Sequence, residues 1–248
     1  MKVVLSQIDT NEVLNKLYTA CRTCYNAGKP EDMYATVHEI PSDDKIKLLS
    51  AVIRSGHHSV LEHQTLTFFI SGVSRALTHQ LVRHRIASYS QQSQRYCEFK
   101  DGKFDYVIPP KIKNNPQALA VFDQAMRQDV QAYEQLIALG LPAEDARSVL
   151  PQACCSNIVV SMNIRSFMHF CNERLCTCAQ LEIRQMAQEM AKQAGELLPF
   201  LKPYFVPKCE MLGYCNESAK RSCHRRPTFD ELIGKKIDFP LDKGKKVL

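Results

Sequence analysis

Several absences narrow this sequence before any motif is weighed. Glycine supplies only nine of the 248 residues, and no Gly-x-Gly-x-x-Gly run follows a strand-like stretch, so the Rossmann dinucleotide fingerprint is missing. No apolar run approaches the roughly 20 residues that a membrane-spanning helix needs. An acidic residue already stands at Asp9, too early for a signal-peptide core, and a cytoplasmic location is expected. There is no internal repeat and no low-complexity segment. What remains is an ordinary globular composition, 45% apolar and 23% charged, with ample length for a buried core.

A broad cationic face is also lacking. The net charge is +6, but residues 219–248 hold nine Lys/Arg against four Asp/Glu, which leaves 23 basic and 22 acidic groups in the first 218 residues. Duplex binding is dominated by phosphate neutralisation over a wide basic surface, and this near-neutral body does not offer one. The basic tail reads as solvated. Two divisions are expected, a catalytic domain over 1–207 and a Cys-containing basic tail over 208–248.

Cysteine, by contrast, is abundant at eleven residues. Without a secretory signal these read as reduced thiols, and Cys154, Cys155 and Cys171 sit in apolar company as small buried hydrophobes. Cys21-x-x-Cys24 falls inside a helical pattern and reads as core plus surface. Cys209-x5-Cys215-x7-Cys223-His224 offers four soft ligands but lacks the short Cys-x2–4-Cys knuckle of zinc modules, so no metal site is expected. A zinc-stabilised interaction module, which chelators would unfold, is the reading set aside here.

One absence is local and informative. From His63 to Cys97 there is no Asp or Glu, while Arg75, Arg83, Arg85 and Arg95 and two histidines crowd the second half of that window. Arginine suits bidentate phosphate recognition, so unneutralised arginines point to an anion site. Ser88, Ser90, Gln91, Gln92 and Ser93 add neutral hydrogen-bonding groups, as a polar ligand with phosphates and amide-like edges requires. Ser93 is no triad nucleophile, because no acid lies near it. A second acid-free window covers 146–172.

Periodicity predicts a strand over 2–8, a helix from Asp9 or Thr10 to about 26, and a helix over 42–55 capped by Ser42. Gly28-Lys29-Pro30 reads as a break. Alternation of Leu66, Phe68 and Ile70 with polar neighbours predicts a strand over 64–71, followed by a helix over 75–84 that puts Gln80, Arg83 and His84 on one face. Residues 86–96 read as a functional loop with some strand character, and 105–109 as a short strand. A long helix is expected over 115–139, a short one over 143–149, a buried strand over 154–162, and a helix to about Arg174 whose inner face carries Phe167, Phe170 and Cys171. Arg174 starts from that buried face. A last long helix contains Ile183 to Leu197, and after Pro207 the pattern dissolves. The expected fold class is α+β, a mixed or antiparallel central sheet covered by long helices in a single domain.

The motifs then match a known pattern. Arg83-His84-Arg85, seven residues, then Ser93 resembles the signature of the flavin-dependent thymidylate synthases. Gly56-His57-x-Ser59-x-x-Glu62-His63 resembles that family's upstream histidine turn, and Ala146-Arg147-x-x-Leu150-Pro151 its mid-chain arginine segment. Asn163-x-Arg165-Ser166-x-x-His169-Phe170-x-x-x-Arg174, then Ala179-Gln180-x-Glu182-Ile183-Arg184, resembles its C-terminal block. The resemblance spans about residues 1–205 with the blocks in the family's order. Ser90 stands where the family has Asn, and His169 where Asn is frequent; both side chains still form hydrogen bonds.

The resemblance implies a homotetramer that binds FAD across subunits through Ser59, Arg83, His84, Arg85, Gln91, Asn163, Arg165 and His169. It implies a dUMP site built from Gln80, Arg83, Gln91, Gln92, Ser93, Gln94, Arg95, Arg147 and Arg174. Arg174 is the implied catalytic residue, favouring the ionised form of the uracil, as a desolvated fixed cation does. The implied reaction is reductive methylation of dUMP to dTMP, with methylenetetrahydrofolate as carbon donor and NADPH-reduced FAD as hydride source. The chemistry belongs to the flavin and needs no cysteine nucleophile. The alternative from another class is a nucleic-acid-binding protein using residues 75–95 and the basic tail.

Overall fold

The computed structural model describes residues 1–99 and 104–234. In chain order the elements are β1 (Lys2–Leu5), α1 (Thr10–Thr23), α2 (Pro30–Thr36), α3 (Ser42–Arg54), a 3-10 turn (His58–His63), β2 (Thr65–Ser74), α4 (Arg75–Leu81) and β3 (Ser88–Gln91). There follow α5 (Pro110–Lys113), α6 (Pro116–Ala138), α7 (Ala143–Ala146), a 3-10 turn (Arg147–Val149), β4 (Cys155–Asn163), α8 (Ile164–Arg174), α9 (Leu181–Leu197), a 3-10 turn (Pro199–Tyr204), α10 (Lys208–Leu212) and α11 (Phe229–Gly234).

The strands form one antiparallel sheet in the order β1-β2-β4-β3, so the chain is α+β. Strand alternation decides its two faces. Leu66, Phe68 and Ile70 of β2 and Ile158, Val160 and Met162 of β4 are buried under α4, α8 and α9. The opposite face carries Val4 and Phe69, 41% and 48% exposed, beside the exposed Asn157. Helices therefore cover one side of the sheet, and the other is open.

Local chemistry accounts for most boundaries. The Asp9 side chain accepts from Asn11 N and caps α1, and Asn115 caps α6 by accepting from Gln117 N and Ala118 N. Ser74 caps α4 by accepting from Leu77 N, and the Glu182 carboxylate in turn accepts from Ser74 N and Oγ at 2.8 and 2.6 Å. The register of β2 against β4 shifts between Ile70 and Val73. Gly72 sits in that bulge at φ 67°, where Met1 N would lie only 3.3 Å from an added Cβ.

The break expected at Gly28-Lys29-Pro30 separates α1 from α2, and Pro30 itself opens α2 because its fixed φ and missing N–H suit the first helical turn. Three other details depart from expectation. Ser42 is already helical and Pro41 holds the cap position, so Ser42 makes no cap hydrogen bond. The strand expected at 105–109 is reduced to a single bridge between Tyr106 and Cys154. Residues 208–234 are also not patternless: they form α10 and α11, with a parallel bridge between Cys215 and Thr228, and the rest of the expected tail, 235–248, lies outside the described residues.

Helix α8 is held by an aromatic cluster. Phe167 is fully buried, with ring centroids 5.3 Å from Phe68, 5.0 Å from Phe205 and 6.1 Å from Phe170. Burying each such ring contributes about 1.5–3 kcal/mol, so the helix that carries the candidate site residues is rigidly seated. The long α6 stands apart, packed chiefly on α5, α7 and the Arg147–Val149 turn. It buries Met126 and Tyr133 in a separate aromatic group with Phe99 and Phe104.

Candidate functional site

The Arg83–Arg85 segment lies just past α4, where the helix ends in tight turns: Arg83 N donates to Gln80 O and His84 N to Leu81 O. Tyr89 of β3 locks this corner. Its hydroxyl is within hydrogen-bond distance of two carbonyls, Leu81 O at 3.0 Å and His84 O at 2.6 Å. Burial pushes the phenol pKa up to about 12, so the donor stays protonated throughout the neutral range. Arg83 and Arg85 are exposed, and among the described residues neither has a carboxylate partner.

His84 points the other way, into α8. Its Nε2 is 2.9 Å from Ser166 Oγ, whose hydroxyl also donates to Ile86 O. With that hydroxyl committed, His84 Nε2–H is the donor to Ser166 and Nδ1 remains an acceptor. The His84 ring meets His169 and Phe170 edge-on at 5.4 and 5.6 Å. Burial first, then His169 and Arg174, hold the His84 pKa below its ordinary value, partly opposed by the Ser166 backbone and Glu173.

Helix α8 therefore gathers several expected residues. Asn163 caps it by accepting from Ser166 N at 2.8 Å, and Arg165 in its first turn pairs with Glu62. That ion pair ties α8 to the His58–His63 turn, on which Ser59 is exposed. The exposed His169 lines a hollow with His58, Arg165 and Met168. At the far end of α8, half-buried Arg174 donates from Nη2 to Gln80 O at 3.1 Å. Arg174 thus stands over the Arg83–Arg85 corner within one chain.

A second group forms at the other end of β4. Gln91 donates from Nε2 to Thr78 and Ser156 hydroxyls on the covered side, and Gln92 accepts from Asn157 Nδ2 on the open side. Ser93 Oγ accepts from Arg95 N, and Gln94 reaches the Cys154 sulfur. Arg95 pairs with the Glu144 carboxylate and lies 5.1 Å from the Tyr96 ring centroid, while Arg147 Nε donates to the Glu144 carbonyl at 3.0 Å. Glu144 so aligns two of the expected substrate arginines.

The two groups sit at the two ends of the seven-residue α4: Arg75 N donates to Cys154 O and Gln91 Nε2 donates to Thr78, whereas Arg174 meets Gln80 O at the other end. Among the described residues, no hydrogen bond or ion pair joins Arg95, Glu144 and Arg147 to His84, Gln80 and Arg174.

Sequence reasoning gave no role to four residues that organise these groups. Tyr89 and Ser166 fix the Arg83–Arg85 corner, and Glu62 and Glu144 hold arginines. Glu62 and Ser166 stood inside the matched motifs, while Tyr89 and Glu144 were marked only by a polar loop and by nearness to an acid-free window.

Taken together, the structure is an α+β domain in which Arg83 and Arg85 stand exposed at one corner and Glu144 aligns Arg95 and Arg147 at another. A family model described as "Thymidylate synthase complementing protein" matches residues 7–200. A flavin-dependent thymidylate synthase of Nitratidesulfovibrio vulgaris is 48% identical over 228 residues, covering 88% of this chain and 92% of that protein. One from Geobacter sulfurreducens is 41% identical over 217 residues (88% and 91%), and one from Pyrococcus abyssi 44% over 185 residues (72% and 76%). The chain belongs to the flavin-dependent thymidylate synthase family.

Proposed function

We propose that the chain converts dUMP to dTMP as a homotetramer, taking its carbon from methylenetetrahydrofolate and its hydride from FAD reduced by NADPH, with each active site at a contact between subunits. The observation that carries this reading is the contact between Arg174 and Gln80 O, which sets a half-buried guanidinium over the Arg83–Arg85 corner. The eleven free thiols fit the reducing conditions of a cytoplasm, and among the described residues no helix is long and apolar enough to cross a membrane.

The residues present fit FAD. Arg83 and Arg85, free of carboxylate partners among the described residues, suit its diphosphate, and the His84 and His169 rings offer flat surfaces and hydrogen-bonding nitrogens. Ser59, Gln91, Asn163 and Arg165 complete the proposed cofactor set. Bound FAD would supply the hydride that completes the methyl group. The protein's part is to bind, orient and polarise.

For dUMP, Ser93 and Gln94 with Arg95 and Arg147 offer donors and cations to a phosphate, with Gln92 beside them. Gln80, Arg83 and Arg174 approach the base. A guanidinium half out of water and fixed by a carbonyl stabilises negative charge on the uracil ring more than a solvated cation does. Because no hydrogen bond or ion pair among the described residues joins Arg95, Glu144 and Arg147 to Gln80 and Arg174 within one chain, we assign the base-activating end to one chain and the phosphate end to a neighbour. The open sheet face with exposed Val4 and Phe69 is a surface through which copies can associate. Residues 1–207 form the catalytic part in this reading, and 208–248 an appendage.

The test is optical. Protein purified with bound flavin, whose spectrum shifts when dUMP is added, is expected. A chain that neither retains nor reconstitutes FAD overturns the proposal.

A further inference from the structure

Five of the eleven thiols, none of which has a role in the proposed reaction, meet in a cavity whose wall also includes Arg174. Cys176 and Cys178 directly follow α8, whereas Cys209, Cys215 and Cys223 come from the segment beyond Pro207, and all five line one cavity of about 220 Å³. The ligand atoms of Cys176, Cys178 and Glu217 already lie within 4.8 Å of one another. Cys209 is close enough to Cys176 and Cys215 to interact electrostatically with both, and Cys223 hydrogen-bonds the side chain of Thr177, between the first pair.

Local backbone chemistry delivers these thiols. Helix α10 ends at Gly213, whose φ of 79° is the left-handed turn that favours glycine, and Gly213 N donates to Cys209 O at 3.0 Å. The reversal returns Cys215 to the cavity, where its N donates to Pro227 O and its O accepts from Phe229 N. The Cys178 N–H is 3.5 Å from the Cys176 sulfur. His224, the fourth candidate from sequence spacing, does not line the cavity and has its own backbone at φ 57°. The missing partners of Cys209, Cys215 and Cys223 are a Cys-x-Cys pair some thirty residues earlier, which is why spacing alone did not reveal a ligand set.

The segment also needs a staple. Between residues 208 and 234 the buried side chains are those of Cys215 and Thr228, while Leu212, Phe229 and Ile233 are exposed. Ordering costs roughly 1–2 kcal/mol per residue, and so little apolar burial does not offset it. Metal binding supplies that free energy in small segments without a core. Four thiolates around a divalent ion carry a net charge of about −2; Lys208 and Arg221 on the cavity wall pair with Glu173 and Glu217, which leaves Arg174 and Arg225 to offset it. Thiolates select zinc, copper(I) or iron–sulfur centres. The Cys176 and Cys178 sulfurs, within 4.8 Å of each other, are spaced for a single tetrahedral ion, and the Glu217 carboxylate stands beside them.

We propose that Cys176 and Cys178, with two thiolates from Cys209, Cys215 and Cys223, bind one zinc ion that pins the segment after Pro207 onto the end of α8. Binding displaces one proton from each thiol still protonated, and no oxidant or reductant is involved. Because Cys176 lies two residues past Arg174, the ion also restrains the turn that follows the catalytic arginine.

The test is metal analysis of the purified full-length chain after dialysis against metal-free buffer containing reductant. About one zinc per chain is expected, released in step with thiol titration by p-hydroxymercuribenzoate. Cys176→Ser and Cys178→Ser should each lower zinc about tenfold, while Cys24→Ser, at the exposed end of α1, leaves it unchanged. Should the single variants prove insoluble, the wild-type stoichiometry and mercurial release decide. Less than about a tenth of an equivalent after refolding with zinc sulfate overturns the proposal, as does iron with visible absorption in place of zinc. Full zinc in a Cys176→Ser/Cys178→Ser double variant overturns it as well.

Discussion

Arg174 Nη2 donates to the carbonyl of Gln80 at 3.1 Å, joining the end of α8 to the end of α4 across 94 positions of sequence. This contact sets a cation where the uracil ring is proposed to lie. Removing it costs the fold little, about 0.5–1.5 kcal/mol for one net hydrogen bond. Arg174→Ala should therefore melt cooperatively near the wild-type temperature while dTMP formation falls about 100-fold or more. Circular dichroism and a dTMP assay on the same sample check both halves. Full activity would remove Arg174 from the site.

Tyr89 tests the corner beneath Arg83–Arg85. Its hydroxyl lies within reach of the carbonyls of Leu81 and His84, both part of the turn that aims those arginines. Tyr89→Phe keeps the ring and removes the donor, which should destabilise by about 1–2 kcal/mol in urea unfolding. Retained flavin should drop with it, because the turn loses its anchor. Unchanged stability and flavin content would mean the turn holds without the phenol.

His84 predicts a pH dependence with a definite sign. Burial and the neighbouring His169 and Arg174 hold its folded pKa below the ordinary 6.5. Above 6.5 the imidazole is neutral in both folded and unfolded chains, and its contribution to stability is fully present. As pH falls from 6.5 toward the folded value, the unfolded chain binds the proton first, so stability declines across that window. Urea midpoints at pH 7.5 and 5.5 should show a larger drop for wild type than for His84→Gln. Equal drops would assign the pH dependence elsewhere.

Much of the fold could be read from apolar spacing, and much of the site could not. The helices around Leu14, Leu49, Tyr133, Phe167 and Ile183 and the strand through Phe68 follow from periodicity, because burial enforces a repeat that survives in one dimension. The break at Gly28-Lys29-Pro30 was legible, but the short α2 that Pro30 opens was not, because proline both ends helices and begins them at the first turn. The expected α6 stripe is real but packs on a small satellite group, so its length overstated its share in covering the sheet. The acid-free windows were sound as sequence, yet Arg95 and Arg165 meet Glu144 and Glu62 from 49 and 103 positions away. Only Arg83 and Arg85 of the expected arginine pair-and-loop motif keep no carboxylate partner among the described residues. Long-range pairing of this kind leaves no trace in spacing. The same holds for the cavity thiols, which come from segments flanking α9.

The central claim is that one active site draws Arg174 from one chain and Arg147 from its neighbour, and subunit mixing tests it most directly. Arg174→Ala and Arg147→Ala are each expected to be nearly inactive alone. Co-folded in equal amounts, random association places an intact Arg174 opposite an intact Arg147 in about a quarter of the sites. Recovery of dTMP formation toward about a quarter of the wild-type rate is the predicted result. Mixed oligomers that form, verified by differently tagged chains, yet stay as inactive as their parents would contradict it.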